Sequence, residues 1–358
     1  MTNISELGEF GLIRHLTEDL EPQNAGTLKG VGDDCAVLSA APGMRTLVTT
    51  DLLMEGVHFN LTYVPMRYLG YKAVMVNLSD VYAMNAMPRQ VTVSLALSKR
   101  FSVEDMDELY AGMRQACQQH QVDIVGGDTT SSLTGLAISI TVIGEAPEQD
   151  IVYRNGAKET DLICVSGNLG AAYMGLQLLE RERLVFEQQV DEARRTGNRQ
   201  ELAGLEQAQP DWGGHEYILE RQLKPEARRD IILALAKAGV HPTSMIDISD
   251  GLSSELMHIC TQSHVGCYIY EERIPLDYQT ATMAEELNMN VTTCALNGGE
   301  DYELLFTVPL ADHDRVSQLE DVHVIGHITK DSLGCNLVTR DGQEFELKAQ
   351  GWNPLKKA

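Results

Sequence analysis

The segment Met245-Ile246-Asp247-Ile248-Ser249-Asp250-Gly251-Leu252 decides the fold class of this chain. Residues 245–249 are rich in apolar and β-branched side chains and predict a strand, and residues 251–260 predict a helix. Two aspartates and a glycine form the turn between them. A strand that leads through a short turn into a helix is the building unit of α/β proteins, so the segment predicts a fold of the α/β or α+β class.

The same pattern of strands and helices extends over the rest of the chain. Strands are predicted at residues 47–50, 91–97, 122–125, 136–143, 161–166, 303–308 and 323–328. Helices are predicted at residues 68–84, 103–120 and 225–238. Because 358 residues exceed one ordinary core, we expect two domains, 1–148 and 149–358, divided where proline and charged residues replace the apolar pattern. The charged, glutamine-rich residues 180–215 predict an exposed helix or an insertion in the second domain.

Composition limits the partners and the compartment. The formal net charge is -24, from 28 basic and 52 acidic side chains, and such a surface repels nucleic acid and anionic membranes. No apolar run approaches the roughly 18 residues that cross a bilayer, and we expect no signal peptide at the acidic N-terminus. The seven cysteines are scattered and form no CxxC pair, which argues against a disulfide framework and a zinc site. We therefore expect a cytoplasmic protein whose thiols are reduced. We also expect that this protein binds no nucleic acid and no membrane.

Carboxylates recur at predicted strand ends, in glycine turns and once on a helix. The segments are Gly32-Asp33-Asp34, Thr49-Thr50-Asp51, Asn77-Leu78-Ser79-Asp80, Gly126-Gly127-Asp128, Asp247-Ile248-Ser249-Asp250-Gly251 and Gly298-Gly299-Glu300-Asp301. Each segment taken alone is compatible with a helix cap or a turn. Asp80 is harder to explain in that way, because it lies on an otherwise apolar helical stripe, where a carboxylate needs a partner such as a cation. As a set, the carboxylates match Mg²⁺, which prefers hard oxygen ligands and commonly also binds phosphate oxygens.

The absence of other phosphate-binding motifs supports a metal-based site. The chain has no GxxxxGK[ST], HRD, DFG, GxSxG or HExxH sequence. Lysine is sparse near the acidic segments, where Lys72 and Lys158 are the nearest. Metal ions must then neutralise most of the charge of any bound phosphate, while glycine N–H groups approach its oxygens. The residues alone therefore predict an enzyme that handles phosphates through several magnesium ions without a P-loop.

Taken in order, these segments resemble the family of ATP-dependent thiamine-monophosphate kinases. The resemblance runs from residue 8 to about residue 306, with a further match at Gly351-Trp352. The matching residues outside the acidic segments include Gly8-Glu9-Phe10, Gly56-Val57-His58-Phe59, Tyr71-Lys72-Ala73, Arg154-Asn155-Gly156-Ala157 and Tyr302-Glu303-Leu304. Eight ordered motifs over nearly the whole chain are far more specific than any single one.

The resemblance implies a reaction and a fold. The reaction is ATP-dependent phosphorylation of thiamine monophosphate to thiamine diphosphate by direct in-line transfer, the last step of thiamine diphosphate biosynthesis. The fold is the two-domain arrangement shared with aminoimidazole ribonucleotide synthetase. In that fold the N-terminal α/β domain binds ATP and magnesium and forms a homodimer, and the C-terminal domain closes the cleft.

The resemblance also implies roles for individual residues. Asp128 and Asp250 are expected to be catalytic, and the expected magnesium ligands are Asp34, Thr49, Thr50, Asp51, Asp80, Asp128, Asp247 and Asp250. The expected ATP contacts are Gly127, Arg154, Ser249 and, against the adenine, Tyr110. The expected contacts to thiamine phosphate are His58, Glu300 and Trp352, of which Glu300 suits the cationic rings by charge and Trp352 by stacking.

Three other interpretations stay open at this point. The nearest is a sibling of the same fold with another substrate, such as aminoimidazole ribonucleotide synthetase, selenophosphate synthetase or the hydrogenase-maturation dehydratase. The dehydratase carries a reactive cysteine at its C-terminus, whereas this chain ends Pro354-Leu355-Lys356-Lys357-Ala358. The second is a silent nucleotide- or metal-binding protein, against which the intact carboxylate set argues. The third, an acidic scaffold without a ligand, leaves Asp80 unexplained.

Overall fold

Two larger mixed sheets and a set of covering helices build the molecule. The computed structural model describes residues 12–29, 31, 36–205 and 212–350. The strands are β1 (Thr27–Lys29), β2 (Val37–Leu38), β3 (Met44–Met54), β4 (Met87–Leu97), β5 (Asp123–Ser131), β6 (Leu136–Pro147), β7 (Leu162–Ser166), β8 (Ser244–Asp247), β9 (Val265–Tyr270), β10 (Leu304–Val308), β11 (Val322–Lys330), β12 (Cys335–Val338) and β13 (Glu344–Glu346).

The helices lie before, between and after these strands. They are α1 (12–17), α2 (Met66–Tyr82), α3 (Val103–His120), α4 (Ala171–Thr196), α5 (Arg199–Leu205), α6 (Glu216–Leu223), α7 (Arg229–Ala238), α8 (Leu252–Ser263), α9 (Tyr278–Glu286), α10 (Val291–Asn297) and α11 (His313–Val316). No helix in the described part of the chain combines the length and the apolar character that a membrane span needs.

Most neighbouring strands are antiparallel, although the fold is mixed α/β as predicted. The four-stranded sheet has the order β3-β6-β4-β5, in which β4 and β5 are parallel. The seven-stranded sheet has the order β13-β12-β9-β11-β7-β10-β8, in which β9 and β12 are parallel. The sheets therefore differ from the open parallel sheet of many α/β proteins, whose ligands bind at the carboxyl ends of parallel strands.

Helices α2 and α3 pack together at two glycines and cover one face of the four-stranded sheet. A Cβ on Gly70 would lie 1.9 Å from the carbonyl oxygen of Leu109, and one on Gly112 would lie 1.8 Å from that of Arg67. No larger residue fits at this crossing. The apolar core around these helices continues into the seven-stranded sheet, where Phe306 belongs to it. The division of the chain into domains at residues 148 and 149 stays a prediction.

The structure confirms the helices of the first half and lengthens two of its strands. Helix α3 has the predicted bounds, and α2 begins and ends two residues before the predicted ones. Strand β3 continues past Asp51, and β5 continues through Gly126-Gly127-Asp128, so neither segment is a strand end or a turn. Gly127 is required because a Cβ there would lie 1.7 Å from the carbonyl oxygen of Val93 on β4. A close approach between strands was thus mistaken for a glycine turn.

The charged stretch at residues 180–215 is largely helical. Helix α4 continues through its first half to Thr196, and α5 follows at once. Arginine and glutamate one turn apart form ion pairs on the surface of α4, as between Arg183 and Glu187. The prediction of an exposed helix is confirmed as far as residue 205, and residues 206–211 lie outside the described residues.

Candidate active site

A cleft with a cavity volume of about 710 Å³ lies between strand β3, helices α2 and α4, and the turns that follow β8 and α10. This volume is within the range of sites for small ligands. Four carboxylates line the cleft, those of Asp51, Asp80, Asp247 and Asp250. Apolar and aromatic side chains also line it, and they include Leu53, Val57, Phe59, Tyr63, Val64 and Tyr173. The cleft therefore suits a ligand that has both an anionic group, which a cation would hold, and an apolar ring.

Three different elements bring the acidic side chains together. Asp51 comes from β3, Asp80 from the last turn of α2, and Asp247 from the end of β8. Thr49 Oγ1 donates to Asp80 Oδ2 over 2.5 Å, which ties β3 to α2. Ser79 Oγ donates to Asp247 Oδ2 over 2.7 Å, which ties α2 to the seven-stranded sheet. The acidic cluster of Asp51, Asp80 and Asp247 thus joins carboxylates from both halves of the chain, and neutral donors from the first half hold two of them.

The acidic cluster holds more negative charge than its protein neighbours compensate. Burial, and then the nearby Asp80, raise the pKa of Asp51 to about 6. Burial and the same neighbour raise the pKa of Asp247 to about 7. Burial also raises the pKa of Asp80, although the Thr49 hydroxyl and the Arg154 guanidinium act in the opposite direction. A cation would favour the charged forms, and a donor set of carboxylate and hydroxyl oxygens fits Mg²⁺.

The acidic turn at residues 247–251 packs directly against the segment at residues 298–301. The Glu300 N–H donates to the Ser249 carbonyl over 2.7 Å, and Gly251 at φ 112° leaves no room for a Cβ beside Asn297. Glu255 on α8 accepts the Asp250 N–H over 2.9 Å. Two acidic segments that the sequence places about 50 residues apart therefore form one wall of the cleft.

Glu300 lines the cleft but already has a cationic partner. Its Oε1 lies 3.1 Å from Lys72 Nζ, and its Oε2 accepts from Gln222 Nε2 over 3.0 Å. Lys72 also donates to the Gln222 carbonyl over 2.9 Å. The expectation that Glu300 attracts a cationic ring by its charge is weakened, because the buried ammonium of Lys72 compensates that charge. Its carboxylate stays available as a hydrogen-bond acceptor at the edge of the cavity.

His58 lines the same cleft, and a backbone contact fixes its neutral tautomer. The Met54 N–H donates to His58 Nδ1 over 3.0 Å. Nδ1 therefore acts as an acceptor, and the neutral ring carries its proton on Nε2. A hydrogen-bond donor at this position suits a phosphate or hydroxyl oxygen of a ligand.

Thr50 is separated from the other expected metal ligands by strand geometry. Successive side chains of a strand point to opposite faces, so Thr49 and Asp51 share one face of β3 and Thr50 lies on the other. Thr50 Oγ1 donates to the Ile140 carbonyl over 3.1 Å and accepts from Thr141. The hydroxyl of Thr50 therefore does not face the acidic cluster of the same chain, and its role as a magnesium ligand stays a prediction.

Asp128 and Gly127 lie on the opposite edge of the four-stranded sheet. Asp51 on β3 pairs with Ile140 on β6, which pairs with Val93 on β4, which pairs with Gly127 on β5. Three strand spacings place Asp51 and Gly127 about 14 Å apart. Neither Gly127 nor Asp128 lines the cleft of the described chain. Within one chain, Asp128 cannot share an ion directly with Asp51.

The remaining expected residues fall into three groups. Arg154 is exposed and acts electrostatically on Asp80 and Asp247, and Ser249 lines the cleft. Tyr110 lies in the core with 6% of its surface exposed and does not line the cleft of the single chain, and its contact with adenine stays a prediction. The periodic apolar face of α3 explains its burial. Asp34 and Trp352 lie outside the described residues.

Sequence reasoning missed four residues that support the site. Ser79 and Lys72 lie inside the quoted motifs, so their position could have indicated them. Gln222 and Glu255 gave no comparable signal, because an isolated glutamine or glutamate on a helix usually faces solvent. Glu255 is instead 2% exposed, and burial raises its pKa to about 8. Ser79 and Glu255 support cleft-lining residues through hydrogen bonds, whereas Lys72 and Gln222 line the cleft themselves.

Comparison with known proteins shows which sequences and structures this chain is similar to. Residues 32–146 match the family model of the AIR synthase related protein, N-terminal domain. The chain is 34% identical over 349 residues to thiamine-monophosphate kinase of Aquifex aeolicus, covering 98% of both chains.

Solved structures extend the likeness to the fold. The crystal structure of thiamine-monophosphate kinase from Stenotrophomonas maltophilia K279a matches with a TM-score of 0.75 at 28% identity, over 94% of this chain and 95% of that one. The structure of AaThiL complexed with AMPPCP and TMP matches with a TM-score of 0.73 at 31% identity, over 99% of both. With more than 30% identity over almost its full length, the chain belongs to the thiamine-monophosphate kinase family.

Proposed function

We propose that this protein transfers the terminal phosphoryl group of ATP to thiamine monophosphate and so completes thiamine diphosphate biosynthesis. One observation carries the proposal: a single cleft joins an acidic cluster to an apolar, aromatic wall. A thiamine phosphate has a phosphate and flat rings, which match the two kinds of side chain that line the cleft. A relative of 31% identity has been solved with AMPPCP and TMP together, the two ligand types that the reaction requires.

The acidic cluster suits a magnesium-dependent form of this reaction. Asp51, Asp80, Asp247 and Asp250 would hold the ions, with the Thr49 hydroxyl beside them. Bound magnesium would supply neutralisation of the negative charge on the phosphates. The exposed guanidinium of Arg154 would contribute further positive charge beside the acidic cluster, because it already acts electrostatically on Asp80 and Asp247.

Direct in-line transfer needs little further chemistry from the protein. The acceptor oxygen of a phosphate monoester is already anionic near neutral pH, so no strong general base is required. The contribution of the chain is then to align the two phosphates and to exclude competing acceptors. The His58 Nε2–H group and the backbone N–H groups of the glycine turns are suited to position the oxygens.

The direct test is product formation from ATP and thiamine monophosphate with and without magnesium. Thiamine and aminoimidazole precursors serve as competing acceptors. Magnesium-dependent thiamine diphosphate is the expected product, and Asp247→Asn should abolish it while the matched change of an exposed aspartate, Asp314→Asn, should not. ADP release only with another acceptor would move the function to a sibling enzyme. ATP binding without any product would favour a silent binding protein.

The proposal includes a homodimer, formed in the cytoplasm, that is completed at the open face of the four-stranded sheet. On that face Val48 is 66% exposed and Leu52 is 56% exposed, although both belong to the central part of β3. The outer edges of the sheet are β3 and β5. If β5 of each chain pairs with β3 of its partner, the two sheets close on each other and cover this face. Asp128, which lies on the same face as Thr50 and Leu52, would then come beside the partner's β3, which accounts for its distance from Asp51 within one chain.

Mixed dimers test the shared site. Asp51→Asn and Asp128→Asn should each inactivate the homodimer. If Asp128 serves the partner's site, exchange of subunits between the two variants creates one intact site in each heterodimer, and a random mixture should regain about one quarter of wild-type activity. If both residues serve the same chain, every site keeps one defect and the mixture stays inactive.

A further inference from the structure

Three cysteines from three different elements meet at one place beside the seven-stranded sheet. Cys260 lies in the last turns of α8, Cys267 on β9 and Cys335 on β12. Strands β9 and β12 are parallel, and Cys267 and Cys335 are direct partners in their register. All three Sγ atoms lie within 4.8 Å of one another. The wide spacing of the cysteines argued against a thiol site, and the fold overcomes that spacing.

The surroundings favour a defined site. Cys260 and Cys267 are buried, with 2% and 0% of their surfaces exposed, whereas Cys335 is half-buried. The thiol cluster, Cys260, Cys267 and Cys335, therefore has a closed apolar side and one side towards solvent. Ile259 and Ile269 belong to the apolar core around it. Among the described residues, this is the one group of three or more potential metal-ligating side chains that converges in this way.

The spacing of the sulfur atoms fits a shared ion. Three thiolates that bind a d¹⁰ ion at about 2.3 Å have sulfur atoms about 3.8–4.0 Å apart. The observed limit of 4.8 Å allows this geometry after small side-chain adjustments. The soft sulfur donors also separate this cluster from the hard oxygen ligands of the acidic cluster.

We propose that Cys260, Cys267 and Cys335 form a three-thiolate binding site for a soft d¹⁰ cation of the zinc class. The bound ion would link the end of α8 to β9 and β12. Because α8 begins directly after the acidic turn at residues 247–251, the ion would also brace the helix behind that turn. A disulfide is the competing use of two of these thiols, but it leaves the third without a role, whereas one ion uses all three.

The experiment uses the reduced full-length protein, freed of metal and titrated separately with Zn²⁺ and Cd²⁺. Native mass spectrometry should show one ion per chain, and Cd²⁺ should give ultraviolet thiolate-to-metal charge-transfer absorption. The melting temperature should rise with bound ion. Cys335→Ser, at the half-buried position, should weaken Cd²⁺ binding at least tenfold, and the control Cys164→Ala, a buried cysteine of the same sheet outside the thiol cluster, should not.

Several results would overturn the proposal. Binding that Cys335→Ser leaves unchanged, or binding without charge-transfer absorption, would assign the ion to carboxylates. The thiol cluster would be assigned to disulfide formation if the protein lost the mass of two hydrogen atoms in air and the reduced protein took up no metal. None of these readouts depends on kinase turnover, so the proposed function and this site can fail separately.

Discussion

Replacing Asp51 by asparagine should stabilise the metal-free protein and remove its response to magnesium. Asp51 lies in the acidic cluster, where burial and Asp80 raise its pKa from 3.8 to about 6. A carboxyl with a raised folded-state pKa binds its proton more tightly in the native state. Its ionisation therefore lowers stability progressively as the pH rises from about 4 to about 6. Asparagine has nearly the same shape and never carries that charge.

The magnitude follows from the size of the shift. Each pKa unit corresponds to about 1.4 kcal/mol, so a shift from 3.8 to about 6 makes ionised Asp51 cost about 3 kcal/mol above pH 7. At pH 5 the cost is about 1.5 kcal/mol, because much of the native carboxyl is still protonated. For a chain of 358 residues, about 3 kcal/mol corresponds to a change of about 4 °C in melting temperature. The free energy by which Asp51→Asn stabilises the metal-free protein should thus roughly double between pH 5 and pH 8.

Thermal unfolding in EDTA and in magnesium, at pH 5 and pH 8, measures this effect. Wild type should gain most from magnesium at pH 8, where the ion no longer competes with protons, and Asp51→Asn should gain much less. Asp314→Asn, an exposed aspartate on α11, is the matched control and should behave as wild type. The reasoning is refuted if Asp51→Asn melts lower than wild type in EDTA at pH 8, or if magnesium stabilises both proteins equally.

Three further changes test the supporting structure. Lys72→Met should cost about 1.5–3 kcal/mol, because Glu300 loses its ammonium partner, and adding Glu300→Gln should restore part of the melting temperature. Glu255→Gln should raise stability at pH 7 by about 3 kcal/mol, because burial raises the pKa of Glu255 to about 8, so that the wild-type carboxyl must take up a proton on folding and glutamine need not; an unchanged or lower melting temperature would contradict this. Gly112→Ala should lower the free energy of unfolding by about 1–3 kcal/mol, because the added methyl group forces α2 and α3 apart. The control Gly204→Ala lies in open space on α5 and should raise stability slightly. Equal melting temperatures of the two variants would rule out the close crossing of α2 and α3.

Local sequence patterns predicted the helices well, because a helix repeats its buried face within a few residues. Leu109, Met113 and Cys117 are all buried on α3, as their spacing indicates. The same periodicity indicates that Asp80 lies on an apolar stripe of α2. In the structure Asp80 belongs to the acidic cluster. The ends of the strands were harder to predict, because the glycines in Gly126-Gly127-Asp128 are compatible with two structures. It permits a turn, and it equally permits the contact with β4 that the structure contains.

Contacts between distant residues were beyond the reach of these patterns. The hydrogen bond from Ser79 to Asp247 joins residues 168 positions apart, and nothing near either residue specifies the other. The thiol cluster has the same origin, because the register of β9 with β12 sets Cys267 beside Cys335. The face on which Thr50 lies depended on the length of β3. Resemblance to a family supplied the expected set of residues, but the pairing of the strands decided which of them meet in one chain.

The acidic cluster answers the question posed by a net charge of -24 in a protein that is to bind phosphates. A cluster already neutralised by lysines would be more stable when empty but would attract no metal ion. Here the pKa values of Asp51 and Asp247 are instead raised to about 6 and about 7, because burial and the neighbouring carboxylates disfavour their charged forms and protein cations do not compensate for this. The cost of ionising the empty site and its attraction for cations come from the same interactions. A substitution that stabilises the empty protein by removing one of these charges should therefore weaken cation binding by a comparable free energy.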